Sequence, residues 1–143
     1  RQTMFAEFER DLHRWEEEGT PLTAEFLRGK YYELNQTYYG PGLAANPAIG
    51  LEWGRIPHFY YDFYVYKYAT SFCAALIFAR RLRAGAGVDA YLGLLRAGGS
   101  RDPLEAVAAA GVDLRDAGVL REAFADFAGV LTELADALGS PVP

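Results

Sequence analysis

Sulfur, imidazole and positive charge are all in short supply in this 143-residue chain, and each shortage removes a class of function. The single cysteine, Cys73, excludes an intramolecular disulfide and a thiolate metal cluster. It sits in an apolar stretch and reads as a small buried hydrophobe. A formal net charge of −5 argues against a nucleic-acid partner, because backbone phosphates reward a basic surface. The strongest basic clusters are Arg80, Arg81 and Arg83, and the pair Arg1 and Arg10; neither makes a stripe. No run of about twenty apolar residues exists, so no membrane-spanning helix is expected. The opening segment, RQTMFAEFERDLHRWEEEG, has no apolar core of a signal peptide and no initiator methionine, which points to a processed chain or a piece of a longer one. Strand-like alternation and internal repeats are also missing.

What is present is helical periodicity. Phe5, Phe8, Leu12 and Trp15 recur at spacings of three and four and predict a helix over 2–18 that Gly19 stops. Glu7, Glu9, Arg10, Asp11, Arg14, Glu16 and Glu17 cover most of its other side. A second helix is expected over 21–38, capped by Thr20 with Pro21 at its first position, or alternatively by Thr23. Phe26, Leu27, Tyr31, Leu34 and Tyr38 share its inner face, and a hairpin with the first helix follows from the short connection. A loop is expected over 40–47 and a helical turn from Pro47 to about Gly54. Residues 56–82 then read as one long helix of about 40 Å, since nothing breaks the run after Pro57. Shorter helices follow over 88–97, from the Asp102 cap to Gly111, and over 117–138 behind an Asp116 cap, with a tail from Gly139 to Pro143. The expected fold is all-α: a helical bundle fragment with a helical hairpin, a long central helix and three shorter C-terminal helices.

The long helix carries the functional signal. Stepped at 100° per residue, His58, Tyr61, Val65, Tyr68 and Phe72 fall within about 80° of one another, with Tyr64 at the edge. Its opposite side is apolar as well, and a helix apolar all round is buried all round. Two readings stand at this point: a compact bundle with a central helix, or one face that meets another domain, a partner or a cleft. A pure core is better served by leucine and phenylalanine than by tyrosine, whose buried hydroxyl costs roughly 1–3 kcal/mol when unpaired. A face with four polar tips suits a cleft that donates hydrogen bonds to a peptide carbonyl. The bland alternative is that each hydroxyl bonds to a neighbouring helix, as in a non-enzymatic helical interaction domain. His13, near Glu9 and Glu17, has i,i+4 spacing that can bind a metal, but reads as part of a surface ion-pair face. Ser71 has no base and orienting group to make it a nucleophile, and Gly85–Gly87 lacks the context of a nucleotide loop.

The segment Arg55-Ile-Pro-His-Phe-Tyr-Tyr-Asp-Phe-Tyr-Val-Tyr-Lys-Tyr-Ala-Thr70 closely resembles a segment near the C-terminus of oligoendopeptidase F, a zinc metallopeptidase of the thimet-oligopeptidase-like group. RQTMFAEFE, the PLTAE stretch, YYELNQTYYGP and GGSRDPLEAVAAAGVDL resemble the same family in the same order, so the likeness covers nearly the whole chain. It implies a mostly helical fold with a deep channel, hydrolysis of short oligopeptide substrates, and a cytoplasmic setting. It also implies a zinc ion held by an HExxH helix and a following glutamate. This chain has only His13 and His58 and no HExxH. The resemblance therefore implies a fragment whose metal-binding, catalytic N-terminal part lies upstream of Arg1, and which is inactive alone.

Carried over by position, His58 matches the family's PHFY histidine and implies substrate binding. Tyr68 and Tyr61, seven apart like two cleft tyrosines of the thimet-type pattern, are the implied catalytic hydrogen-bond donors. Tyr64, one residue from that pattern's middle tyrosine, is a second implied substrate contact. No metal ligand is assigned in these 143 residues. An exposed apolar face on residues 58–79 is expected to promote self-association.

Overall fold

A computed structural model describes residues 1–43 and 46–139, and among them only helices, turns and loops occur. Parts of the loop expected over 40–47 and of the tail after Gly139 lie outside the described residues. No helix of the described residues is long and apolar enough to cross a membrane. The chain divides into two compact units, Arg1–Ala69 and Thr70–Pro143.

In the first unit α1 spans Gln2–Glu17 and α2 spans Ala24–Tyr39. Gly19, at a φ of 75°, takes the left-handed conformation that ends α1. Thr23, not Thr20, caps α2: its Oγ1 accepts from Phe26 N at 3.2 Å. Pro21 therefore stays outside the helix. Trp15 meets Phe26 at the start of α2, whereas Phe8 meets Tyr31 further along, so the two helices run antiparallel as a hairpin. Asn46 caps a 3₁₀ helix, Pro47–Arg55, that packs on α2. Gly50 makes that packing possible, because a Cβ there would stand 2.7 Å from the Arg28 carbonyl oxygen.

The core of this unit is aromatic. Met4, Phe5, Phe8, Leu27, Tyr31, Ile56 and Val65 are buried, with Leu12, Trp15, Phe26, Leu34, Trp53 and Phe59 packed against them. Phe8 makes edge-to-face contacts with Tyr31 at 5.0 Å and Phe59 at 5.4 Å. Below it lies a polar knot. Buried Glu52 accepts from Tyr31 Oη at 2.8 Å, from Arg55 Nη2 at 2.6 Å and from Arg1. Burial acts to raise the Glu52 carboxyl, but the hydrogen bonds from Arg1 and Tyr31 and the nearby guanidinium charges outweigh it and hold it below the usual range.

The single long helix expected over 56–82 does not form. A 3₁₀ turn, Pro57–Tyr60, is followed by Asp62 and Phe63 at φ of 45° and 53°, and α3 begins only at Tyr66 and runs to Arg83. The physical reason is the core. In a continuous helix Ile56 and Val65 are nine residues apart and point to opposite sides, about 180°. The left-handed break turns both into one cluster, where Ile56 is 7% and Val65 1% exposed. Val65 thus belongs to the core and not to the His58 face. Nor is the segment buried all round: Tyr60, Tyr61, Phe63, Tyr66, Tyr68 and Phe72 are exposed.

The second unit holds most of α3, then α4 (Val88–Ala97), α5 (Pro103–Ala109) and α6 (Ala117–Leu138). At 22 residues α6 outruns the 18 of α3, so the C-terminal helices are not all shorter than the central one. Asp102 and Asp116 cap as expected, accepting from Leu104 N at 2.9 Å and Gly118 N at 2.7 Å. The core here is built of Ala74, Ile77, Phe78, Ala110, Val112, Val119 and Ala123, with the partly buried Cys73 against it. Arg80 joins α3 to α6 through Glu122 and, at 3.0 Å, Asp126.

A candidate active-site face around His58

The broken segment builds the site. Pro57 starts the 3₁₀ turn that carries His58, and Tyr61 N closes it on His58 O at 3.2 Å. The chain then passes through Asp62 and Phe63, whose backbone conformation is rare for residues other than glycine. Val65 N–H donates to Glu9 Oε2 at 3.3 Å, and Val65 O accepts from Tyr68 N at 3.3 Å as α3 begins. Phe63 lies stacked on His13, ring centroids 4.0 Å apart.

The outcome is a cluster of four rings. His58 stacks on Tyr64 with centroids 5.4 Å apart and meets Tyr61 and Tyr68 edge-on at 6.2 and 5.8 Å. Tyr64 in turn stands 5.9 Å from both Tyr61 and Tyr68. The Tyr68 hydroxyl lies 3.4 Å from His58 Nε2, donating or accepting according to the imidazole tautomer. The Lys67 ammonium sits 4.5 Å from the Tyr64 ring centre. The neighbouring Tyr64 hydroxyl, and after it desolvation, pushes the Tyr68 phenol above its usual range.

All four sequence-predicted residues therefore come together, though by a bend and not along one helical stripe. Phe72, expected on the same face, is not part of the ring cluster and stands 61% exposed. Tyr61 and Tyr68 are exposed, and His58 and Tyr64 are partly so. Such a face offers hydroxyl and imidazole donors to something outside the unit. A concavity of about 660 Å³ lined by Arg1, Asn35, Tyr39 and Glu52 lies elsewhere in the unit, and none of the four rings lines it.

Sequence reasoning missed Glu9 and the His13–Phe63 stack. Glu9 was assigned to the charged side of α1, yet it is 2% exposed. The signal was there: Phe5, Glu9 and Leu12 are spaced four and three, so Glu9 falls on the apolar face.

The comparisons agree on the kind of protein. Residues 1–126 match the family model for peptidase family M3. Oligoendopeptidase F, chromosomal, of Lactococcus lactis subsp. cremoris is 47% identical over 136 residues, which is 94% of this chain and 23% of that protein. Oligopeptidase PepF of Bacillus subtilis (strain 168) is 45% identical over 140 residues, 96% of this chain and 21% of that protein. A crystal structure of a protein from Chlamydophila abortus superimposes with a TM-score of 0.83 at 39% identity, over 95% of this chain and 23% of that one. The chain thus spans less than a quarter of each of these relatives. With an all-helical fold, matching segments from end to end and this similarity over nearly its whole length, the chain belongs to peptidase family M3.

Proposed function

We propose that this segment forms the substrate-facing wall of a zinc-dependent, cytoplasmic metalloendopeptidase that hydrolyses short peptides. In this reading Tyr68, and secondarily Tyr61, donates a hydrogen bond to the oxygen that becomes negative as the scissile carbonyl turns tetrahedral. His58 and Tyr64 hold the substrate backbone. The observation that carries the reading is the open His58–Tyr64–Tyr68 cluster with the Tyr68 hydroxyl at His58 Nε2. Hydroxyls preset at the position of developing charge stabilise the transition state more than the ground state. His58 Nε2, at hydrogen-bond distance from Tyr68 Oη, fixes where that hydroxyl stands before substrate arrives.

The residues of this chain do not fit the zinc ion of such an enzyme. His13 is engaged with Phe63 and stands 3.9 Å from Asp62, and His58 is engaged with Tyr64 and Tyr68. Among the described residues no group of three or more His, Cys, Asp and Glu side chains is placed to hold a metal. The ion belongs, in this proposal, to another part of the longer polypeptide, and the segment alone has no peptidase activity. The isolated segment is expected to self-associate through residues 58–79, where Tyr66 and Phe72 are exposed.

The test is Tyr68→Phe in the full-length protein, assayed on an internally quenched short peptide. Loss of one transition-state donor is expected to lower kcat by about a hundredfold while KM stays within about threefold. An unchanged kcat removes Tyr68 from the chemistry.

A further inference from the structure

We propose that Glu9 and His13 of α1 are positioning residues that hold the ring cluster in its reactive arrangement, a proposal that rests on the role for Tyr68 given above. Glu9 is buried, and a carboxylate in an apolar core is costly unless it is fully hydrogen-bonded. It is not: Oε1 has no hydrogen-bond partner among the described residues, and the bond described for Oε2 is the one it accepts from Val65 N–H. A leucine or methionine would fill that place in a core selected for stability alone.

What Glu9 does hold is the end of the left-handed turn. One helical turn further along α1, His13 stacks on Phe63. The two side chains grip residues 63 and 65 and so flank Tyr64 on the backbone. Asp62 and Phe63 are non-glycine residues at positive φ, a conformation that persists only when its surroundings enforce it. Released, the segment is free to continue as helix, as its sequence favours. In that helix His58 and Tyr64, six residues apart, point about 120° away from each other and cannot stack. The grip also reaches Tyr68 through one peptide, since the Val65 carbonyl accepts its N–H. Glu9 and His13 touch none of the reacting atoms in this account; they act through Tyr64 and Tyr68.

The experiment uses the full-length protein with the same quenched peptide, and histidine-labelled protein for NMR of the imidazoles. Glu9→Ala is expected to lower kcat about tenfold or more with KM within about threefold, as misplacement of a donor by an ångström can do. Glu9→Gln keeps an acceptor for Val65 N–H and is expected to stay within about threefold of the parent. In a Tyr68→Phe background, Glu9→Ala should cost less than about threefold, because the donor it positions is already gone. The His58 ring resonances, displaced by stacking on Tyr64, should relax in Glu9→Ala and remain in Glu9→Gln. An unchanged kcat in Glu9→Ala, or the same fold-loss in both backgrounds, overturns the proposal. If Tyr68→Phe itself is silent, the functional reading fails, and the His58 resonances then decide separately whether α1 positions the cluster. Should Glu9→Ala not fold, His13→Ala removes the other grip at a half-exposed site. His58 resonances that stay put in that variant overturn the proposal equally.

Discussion

The two units of this chain solve the problem of a stable interior differently. The first packs large aromatic rings edge to face, and all of the buried polar or charged residues among those described, Glu9, Asp11, Asn35 and Glu52, lie in it. The second closes on alanines, valines, Ile77 and Phe78, and none of its described charged residues is buried. Alanine cores bring helices close with few geometric demands. Interlocked rings and buried hydrogen bonds admit few alternative arrangements, and they carry the backbone that displays His58, Tyr61, Tyr64 and Tyr68. The lesson is that the restrictive interior sits where geometry matters to the proposed chemistry.

A matched pair of substitutions, one in each core, gives the largest expected effect. Phe8 is 0% exposed and touches Trp15, Tyr31 and Phe59, so Phe8→Ala is expected to cost about 4–5 kcal/mol, the upper range for such a change. Phe78 has Tyr91 as its ring neighbour and borders an open cavity of about 360 Å³. Phe78→Ala is expected to cost about 3 kcal/mol, the lower end for such a change, because much of the void it leaves joins existing space. Urea unfolding followed by far-UV circular dichroism, which reports the helices of both units, checks the pair. Both tryptophans, Trp15 and Trp53, lie in the first unit, so their fluorescence follows that core directly. Equal costs for the two variants would dissolve the contrast.

The helices of both units were legible because their apolar residues recur at three and four and because Asp102 and Asp116 cap as expected, while at α2 the alternative cap Thr23 takes the place expected first of Thr20. What the sequence did not reveal is the break between Tyr60 and Tyr66. It has no glycine and no proline after Pro57, so local propensity argues for helix throughout. Long-range contacts win instead, through Val65 in the core, Glu9 fifty-six positions away in sequence, and His13 on Phe63. The four candidate side chains named from the sequence are therefore gathered into one cluster, but by a bend and not by the helical stripe that singled them out. Spacing and family resemblance named His58, Tyr61, Tyr64 and Tyr68, while a helical stripe placed Val65 and Phe72 among them. The spacing of Phe5, Glu9 and Leu12 puts Glu9 on the apolar face of α1, but nothing local names Val65 or Phe63 as the partners of Glu9 and His13, which are remote in sequence and close only after folding.

A smaller effect sharpens the part played by buried charge. Glu52→Gln keeps the shape and removes the charge that Arg1, Arg55 and Tyr31 address. Hydrogen bonds to a charged group are worth more than neutral ones, so a loss of about 2 kcal/mol is expected at neutral pH. The pH dependence fixes the sign. The folded Glu52 carboxyl is held below its unfolded value, so its contribution is complete above the ordinary carboxyl range, about 4.3, and is lost as pH falls through the lower folded value. The parent should weaken over that acid window more steeply than Glu52→Gln. Parallel curves would mean that the carboxylate contributes shape alone and that the knot is no stiffer than the alanine core.

The smallest expected effect separates two kinds of tyrosine within the first unit. Tyr38 donates to Glu7 Oε2 at 2.6 Å, and burial with that carboxylate pushes its phenol up to about 12. Its hydroxyl already has a partner in the hairpin, as a structural tyrosine should. Tyr38 is 40% exposed, so solvent screens the bond, and Tyr38→Phe is expected to cost about 0.5 kcal/mol. In the full-length protein it should leave kcat on the quenched peptide unchanged. Tyr68 is exposed to nearly the same degree, 41%, but its hydroxyl faces His58 and its ring borders Tyr64. Exposure alone therefore does not distinguish the two, and neither does residue type. If Tyr38→Phe lowered kcat as far as Tyr68→Phe, the loss could not be assigned to a donor at the reacting carbonyl. It would instead measure the sensitivity of the whole aromatic unit to any missing hydroxyl.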